Sequence, residues 1–292
     1  FALSNIKFLG CRGATGTEAS FVELFNGDTS KIDKMNKIIA NDFGFEECFA
    51  VSGQTYPRKV DSRILNALSS IAQSAYKFAN DLRMLQHDKF IEEPFEKNQV
   101  GSSAMAYKRN PMRSERVCSL ARYLMVDSIN APLTASTQWF ERTLDDSANR
   151  RMSIPEAFLT ADSILRLLIN IADGLVVNEK IIAKEVEKYL PFIATENILM
   201  EATKKGGDRQ QLHEIIRKCS MESIGNMKDG NECKLLDLLS QNNEFNLTKE
   251  EMTNLLKPEN FIGRSKEQVE YFLDKYSSIF EDVEDLKIEI NK

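Results

Sequence analysis

The sequence predicts an all-α protein built around a bundle of long helices, and three observations carry that prediction. Glycine and proline are scarce, 13 and 7 in 292 residues, which favours long uninterrupted elements over a turn-rich β fold. Val60, Ile64, Leu68, Ile71, Ala75, Phe78, Leu82 and Leu85 recur at spacings of 4, 4, 3, 4, 3, 4 and 3, a heptad-like seam. Helical patterns fill most of the remaining chain. A helix through the seam would run about 30 residues, roughly 45 Å. A one-sided helix of that length needs partner helices along all of it, and the economical solution is a bundle.

The elements follow in order. A Gly/Thr cluster, Gly13 to Thr17, precedes a short helical pattern through Phe21, Leu24 and Phe25, which Asn26-Gly27-Asp28 breaks. A second helix is expected from about Ser30 to Asp42, and a short extended or turn segment from Phe49 to Gly53. The seam helix comes next, with Pro57 where a first-turn proline is tolerated and Pro94 beyond its far end. Further helices are expected over Met112 to Ile129, Leu133 to about Leu144, and Pro155 to Asp173. Ser153 and Glu156 read as a capping box for the last of these, with Pro155 in its first turn. Beyond Gly174 the helices shorten and carry more charge: Glu179 to Tyr189, Glu196 to Lys204, Arg209 to about Met227, Lys249 to Leu256, and Lys266 to Glu281. A domain boundary is therefore placed near Leu175, with a central helical domain over 1–175 and a smaller helical C-terminal domain over 176–292.

Composition narrows the function classes. The net charge of −6 argues against a general nucleic-acid binder. No apolar run reaches the ~18 residues of a membrane span, and even Phe158 to Val177 contains Asp162, Arg166, Asn170 and Asp173. No basic segment precedes an apolar one, so no secretory signal is expected. The five cysteines are widely spaced and form no CxxC, which suits free thiols in a reducing cytoplasm. Only two histidines occur, His87 and His213, which limits metal sites and histidine chemistry.

The chemistry concentrates in two places. Gly101 to Pro111 packs two serine hydroxyls, a lysine, an arginine and an asparagine into a small-residue loop ahead of a helix. Elimination next to a carboxylate requires removal of the alpha proton, and the extra charge this places on the carboxylate needs a nearby cation. Lys108 can supply that charge, and Ser102 or Ser103 could take the proton if local positive charge activates the hydroxyl. Between Lys108 and Arg122 there are five basic residues and one acidic residue, Glu115, a local cationic patch in an acidic chain. The second place is Gln138 to Arg151, where the only tryptophan, Trp139, adjoins a dense polar run. This run has too little apolar content to pack as an ordinary helix. Arg142, Ser147 and Arg151 could hold phosphate or carboxylate, with Asp145 and Asp146 bracing the arginines. No third metal ligand follows at a suitable spacing, so no metal is expected.

The loop Gly101-Ser102-Ser103-Ala104-Met105-Ala106-Tyr107-Lys108-Arg109-Asn110-Pro111 resembles the signature loop of the fumarase/aspartase superfamily. Within it, Trp139 to Arg151, Ser52 to Tyr56, Leu190 to Asn197, Gly13 to Phe21 and Gly206 to Gln210 look like the adenylosuccinate lyases. The likeness covers nearly the whole chain and weakens after about Met227. The resemblance implies a long-helix bundle of the fumarase/aspartase type, a cytoplasmic homotetramer assembled through that bundle, and no cofactor. It implies release of fumarate from adenylosuccinate to give AMP, and from the succinyl-carboxamide ribotide of purine synthesis. Ser102 would be the general base, and Lys108 and Asn110 would meet the succinyl carboxylates with Glu115 close behind. Gln54, Ser103, Arg116, Arg142, Ser147 and Arg151 would contact substrate, the arginines and Ser147 at the nucleotide end. Two departures stand out. Ala106 occupies the place of a family proline, which leaves the loop with more conformational freedom. The general-acid histidine matches neither His87 nor His213 and is expected in a region preceding Phe1, so the central domain reads as incomplete and the chain by itself as weakly active or inactive. Argininosuccinate lyase is disfavoured by the Trp139 to Arg151 run. A helical oligomer that keeps the scaffold without the chemistry is disfavoured by Ser102, Lys108, Glu115 and Arg142.

Overall fold

A computed structural model describes residues 6–96, 104–105, 107–140 and 142–280. The chain divides into two compact units, one ending at Val176 and one beginning at Val177.

The first unit is a helical bundle. Helices α1 (Ala19–Leu24) and α2 (Thr29–Asp42) lead into the long α3 (Lys59–His87), followed by α4 (Met112–Asp127), α5 (Asn130–Ser136) and α6 (Asp145–Asp173). The only strands among the described residues are β1 (Ile91–Glu92) and β2 (Val176–Val177), which pair with each other where the first unit ends. Asp28 caps α2 by accepting from the Ser30 amide. The core is where α3, α4 and α6 meet. Leu65, Ala72, Ala75, Ala79 and Leu82 of α3 pack with Val117, Cys118, Ala121 and Leu124 of α4 and with Ala157, Ala161, Ile164, Leu167 and Ile171 of α6. The alanines let the helix backbones approach, and the leucines and isoleucines fill the space between. Cutting back one of the fully buried ones, Leu65, Leu124 or Ile164, to alanine costs about 2–5 kcal/mol.

α3 is 29 residues long, as the seam predicts, but its buried stripe keeps only part of the seam and otherwise runs one position later, through Leu65, Ser69, Ala72, Ala79 and Gln86. Val60, Ala75 and Leu82 of the seam are buried, whereas Ile71 and Phe78 are 39% and 42% exposed. Its partners cover the arc centred on Leu65, Ala72 and Ala79, and the apolar face of α3 is wider than that arc.

Helix α6 requires three corrections. It begins at Asp145, ten residues before Pro155, so Pro155 lies inside the helix. Ser153 is not a cap, because its hydroxyl donates to the Asn149 carbonyl at 3.0 Å within the helix. An internal proline costs roughly 3 kcal/mol, which the burial of Ala157, Ala161, Ile164, Leu167 and Ile171 offsets. The helix expected over Leu133 to Leu144 is instead the short α5, and the chain leaves helical geometry before Phe140, whose φ is +45°. The polar run does form helix after all: Asp145 to Arg151 are its first two turns. Ion pairs supply what apolar packing would otherwise provide there.

The second unit contains α7 (Glu179–Ile193), α8 (Thr195–Lys204), α9 (Arg209–Lys228), α10 (Leu235–Ser240), α11 (Lys249–Leu255), α12 (Ser265–Lys275) and α13 (Ser277–Phe280). Its core joins Ile198, Leu199 and Ala202 to Leu212, Ile216, Leu235, Leu239, Phe245 and Met252. The helix starts carry their own signals. Asp208 accepts from the Gln210 and Gln211 amides at 3.0 and 2.9 Å, and Thr248 and Glu251 form a capping box.

Candidate active site

The first unit gathers the expected site residues into two groups. The first lies at the root of the signature loop, where α3 ends and α4 begins. Lys108, Asn110 and Glu115 line a cleft of about 700 Å³ together with Arg83 and His87 from the last turns of α3. The Lys108 side chain is exposed and, among the described residues, makes no ion pair or hydrogen bond. Arg109 lies over the Phe95 ring at 4.9 Å. Arg116, in the second turn of α4, is exposed and is not among the residues lining the cleft. Ser102, Ser103 and the Ala106 substitution lie outside the described residues. His87, which matches no family position, stands at the end of α3. It is exposed, and it also faces this cleft.

Glu93 is the residue at this root that sequence reasoning missed. Its side chain is buried, and its two oxygens accept from the Arg113 amide at 3.0 Å and from the Ser114 amide and hydroxyl at 2.9 and 3.0 Å. A signal was present: α4 starts after Pro111 with no serine, threonine, aspartate or asparagine at the cap position. Its first amides therefore need an acceptor from elsewhere.

The second group surrounds the start of α6. Asp146 is fully buried, and its carboxylate accepts from Arg58 Nε at 2.7 Å, with the Arg58 side chain only 6% exposed. A guanidinium nitrogen of Arg142 stands 3.8 Å from the other Asp146 oxygen. Neither that oxygen nor Arg142 Nε has a hydrogen-bond partner among the described residues, although both are buried. One turn further on, Arg150 Nε donates to Asp61 at 2.5 Å, and Tyr56 donates its hydroxyl to the other Asp61 oxygen at 2.7 Å. Burial, and then the Asp61 hydrogen bond and charge, push the Tyr56 phenol above its ordinary value; Arg150 and Arg58 oppose the rise. Arg58 and Arg150 both lie against the Tyr56 ring, at 4.7 and 5.4 Å. Two carboxylates thus face three guanidiniums, and the surplus positive charge falls on Arg142. Ser147 donates to the Leu144 carbonyl at 3.1 Å, while Arg151 is exposed. The expected bracing role belongs to Asp146, since Asp145 sits exposed in the first turn.

Gln54 is exposed, two residues before Tyr56. Two of the sequence motifs meet beside it. Gly16, at φ +81°, leaves no room for a side chain, because a Cβ there would stand 2.1 Å from the Ser52 carbonyl oxygen and 2.8 Å from Gly53 Cα. Glycine is required for the Gly13 to Phe21 segment to lie on Ser52–Gly53. Among the described residues no group of three histidine, cysteine, aspartate or glutamate side chains is placed to hold a metal ion, and no helix is long and apolar enough to cross a membrane.

An all-α bundle on a long central helix is the fold of the fumarase/aspartase superfamily lyases. The 3-carboxy-cis,cis-muconate lactonizing enzyme of Pseudomonas putida superposes with a TM-score of 0.78 over 96% of this chain and 59% of its own, at 18% identity. Within that class, a lyase family model matches residues 26–126 and one for the adenylosuccinate lyase C-terminus matches residues 191–272. The adenylosuccinate lyases of Saccharomyces cerevisiae and Schizosaccharomyces pombe are 49% and 48% identical over 275 residues, 94% of this chain and 57% of each relative. The chain belongs to the adenylosuccinate lyase family and spans somewhat over half the length of the curated relatives it matches.

Proposed function

We propose that this chain contributes to a site that eliminates fumarate from adenylosuccinate, leaving AMP, and from the succinyl-carboxamide ribotide of purine synthesis. The observation that carries the reading is the cleft at the loop root, where an unpaired Lys108 ammonium stands with Asn110 and Glu115. The base, assigned to Ser102, takes the proton alpha to a succinyl carboxylate. The electron pair left behind forms the C=C bond of fumarate as the C–N bond breaks. Lys108 and Asn110 stabilise the charge that builds on the carboxylate before that bond breaks. A proton must reach the leaving nitrogen, and neither His87 nor His213 matches the family's donor of it. Arg142, Ser147 and Arg151 hold the nucleotide end, where Arg142 carries the surplus charge of the Arg58–Asp146–Arg142 cluster. Gln54, Ser103 and Arg116 complete the substrate contacts. No cofactor enters this chemistry.

The protein on this reading works in the cytoplasm as a homotetramer. The free cysteines suit that compartment. The apolar residues left open on the bundle suit the assembly: Ile71 and Phe78 of α3, Val126 of α4, and Phe158, Leu165 and Ile169 of α6. Sedimentation of the intact protein and of Phe78→Asp tests the assembly, with dissociation of the variant expected and a monomeric parent overturning it. A fumarate-release assay with adenylosuccinate on the intact protein and on Ser102→Ala tests the chemistry. Loss of release in the variant supports the assignment, and equal rates overturn it.

A further inference from the structure

We infer that Glu93 is a positioning residue that ties the two roots of the signature loop together and so fixes where Lys108 and Asn110 stand. The inference rests on the proposed function for its consequence and on the hydrogen bonds alone for its geometry. Glu93 leaves β1 just before the loop, and its carboxylate caps the first turn of α4 just after it, across 20 and 21 residues of sequence. The residue is 4% exposed, and its carboxylate takes three donors: two α4 amides and the Ser114 hydroxyl. These amides belong to the positive end of a 16-residue helix, where a carboxylate is well placed.

Glu93 is itself held. Its amide donates to Gln86 Oε1 at 3.0 Å, and the same Gln86 side chain donates to the Arg109 carbonyl at 3.4 Å. Gln86 lies in the last turn of α3, so one buried amide side chain fastens the entering chain and the returning chain to the end of the long helix. Arg113 adds a second clasp by donating to the Pro94 carbonyl and pairing with Glu96 at 2.7 Å. Lys108 and Asn110 lie on either side of the residue that Gln86 holds. Their backbone is thus anchored to α3 through Arg109 and to α4 through the capped first turn.

A carboxylate suits this place because all three partners are donors. Glutamine would keep one acceptor and turn an N–H group toward donors. Alanine would leave both amides and the hydroxyl without their acceptor in a buried place.

The test combines hydrogen exchange with kinetics on the intact protein, comparing the parent with Glu93→Ala and Glu93→Gln. Exchange is expected to accelerate in peptides covering residues 107–116, more in the alanine variant than in the glutamine variant, and to stay unchanged over α8 and α9. Displacement of Lys108 by about 1 Å would lower kcat for fumarate release by up to about 100-fold, with a smaller change in KM and partial retention of rate in Glu93→Gln. Unchanged exchange over 107–116 in both variants overturns the tie. Faster exchange with parental kcat and KM overturns the positioning role. Absence of fumarate release from the parent instead counts against the proposed function, and exchange still decides the tie. If Glu93→Ala does not fold, Glu93→Gln carries the same comparison.

Discussion

Replacing Asp146 by asparagine tests how the start of α6 is held against α3. The Asp146 carboxylate is fully buried and receives Arg58 Nε at 2.7 Å, with Arg58 itself 6% exposed. Asparagine keeps the shape and one acceptor oxygen but strands the Arg58 guanidinium without a counter-charge. Removing one partner of a buried pair costs about 3–5 kcal/mol, and the retained oxygen points to the lower end, about 3 kcal/mol. In a unit of this size each kcal/mol moves the melting midpoint by about 2–4 °C, so a fall of roughly 6–12 °C is expected. The assay is a far-UV circular-dichroism melt of the parent, Asp146→Asn, Arg58→Met, and the double variant Arg58→Met with Asp146→Leu. The double variant should recover part of the loss, because Arg58 no longer strands a buried charge and only the part-exposed Arg142 loses its counter-charge. An Asp146→Asn midpoint within about 2 °C of the parent would refute the reasoning, since it would mean that water already reaches the pair and screens it.

Three further outcomes are expected. Lys108→Met should cut fumarate release by about 100- to 1,000-fold while leaving the melting midpoint unchanged, because the side chain is exposed and unpaired; a shifted midpoint would point to a structural role instead. Asp127 tests pH dependence. Burial raises its carboxyl above the usual value, with the Asn130 hydrogen bond opposing and Glu156 adding to the rise. The folded protein therefore binds this proton more tightly than the unfolded chain, and stability falls as pH climbs from about 4 through the raised value. Asp127→Asn should remove that dependence and raise the midpoint at pH 7, as melts at pH 4 and pH 7 would report; identical pH profiles would count against it. Thr248→Ala should cost the second unit about 1 kcal/mol by removing the acceptor for the Glu251 amide, and an unchanged urea midpoint would show that the box is dispensable.

The long helix was legible because its apolar spacing runs uninterrupted from Val60 to Leu85. The face it buries was not, because Ile64, Ile71 and Phe78 look the same in sequence as Leu65, Ala72 and Ala79. Only the positions of α4 and α6 decide between the two rows. The start of α6 was hidden for a different reason. Asp145 to Arg151 is stabilised by Arg58 and Asp61, which lie 88 and 89 residues from their partners Asp146 and Arg150. No local propensity signals such a bond, whereas the Ser-Ile-Pro-Glu run at 153–156 mimics a helix start. That Lys108, Asn110 and Glu115 line one cleft follows from their closeness in sequence. Glu93 could be found only by asking which group satisfies amides that the local sequence leaves uncapped.

Gly174 ends α6 hard against Pro94, where a Cβ would stand 2.5 Å from the proline Cβ. Pro94 is the residue whose carbonyl Arg113 grips, and it follows Glu93 directly. A genetic screen should therefore treat positions 94 and 174 as one locus. A Gly174→Ala lesion would shift the loop root from eighty residues away, and its second-site suppressors should include Pro94→Gly, which removes the ring that the new methyl group meets.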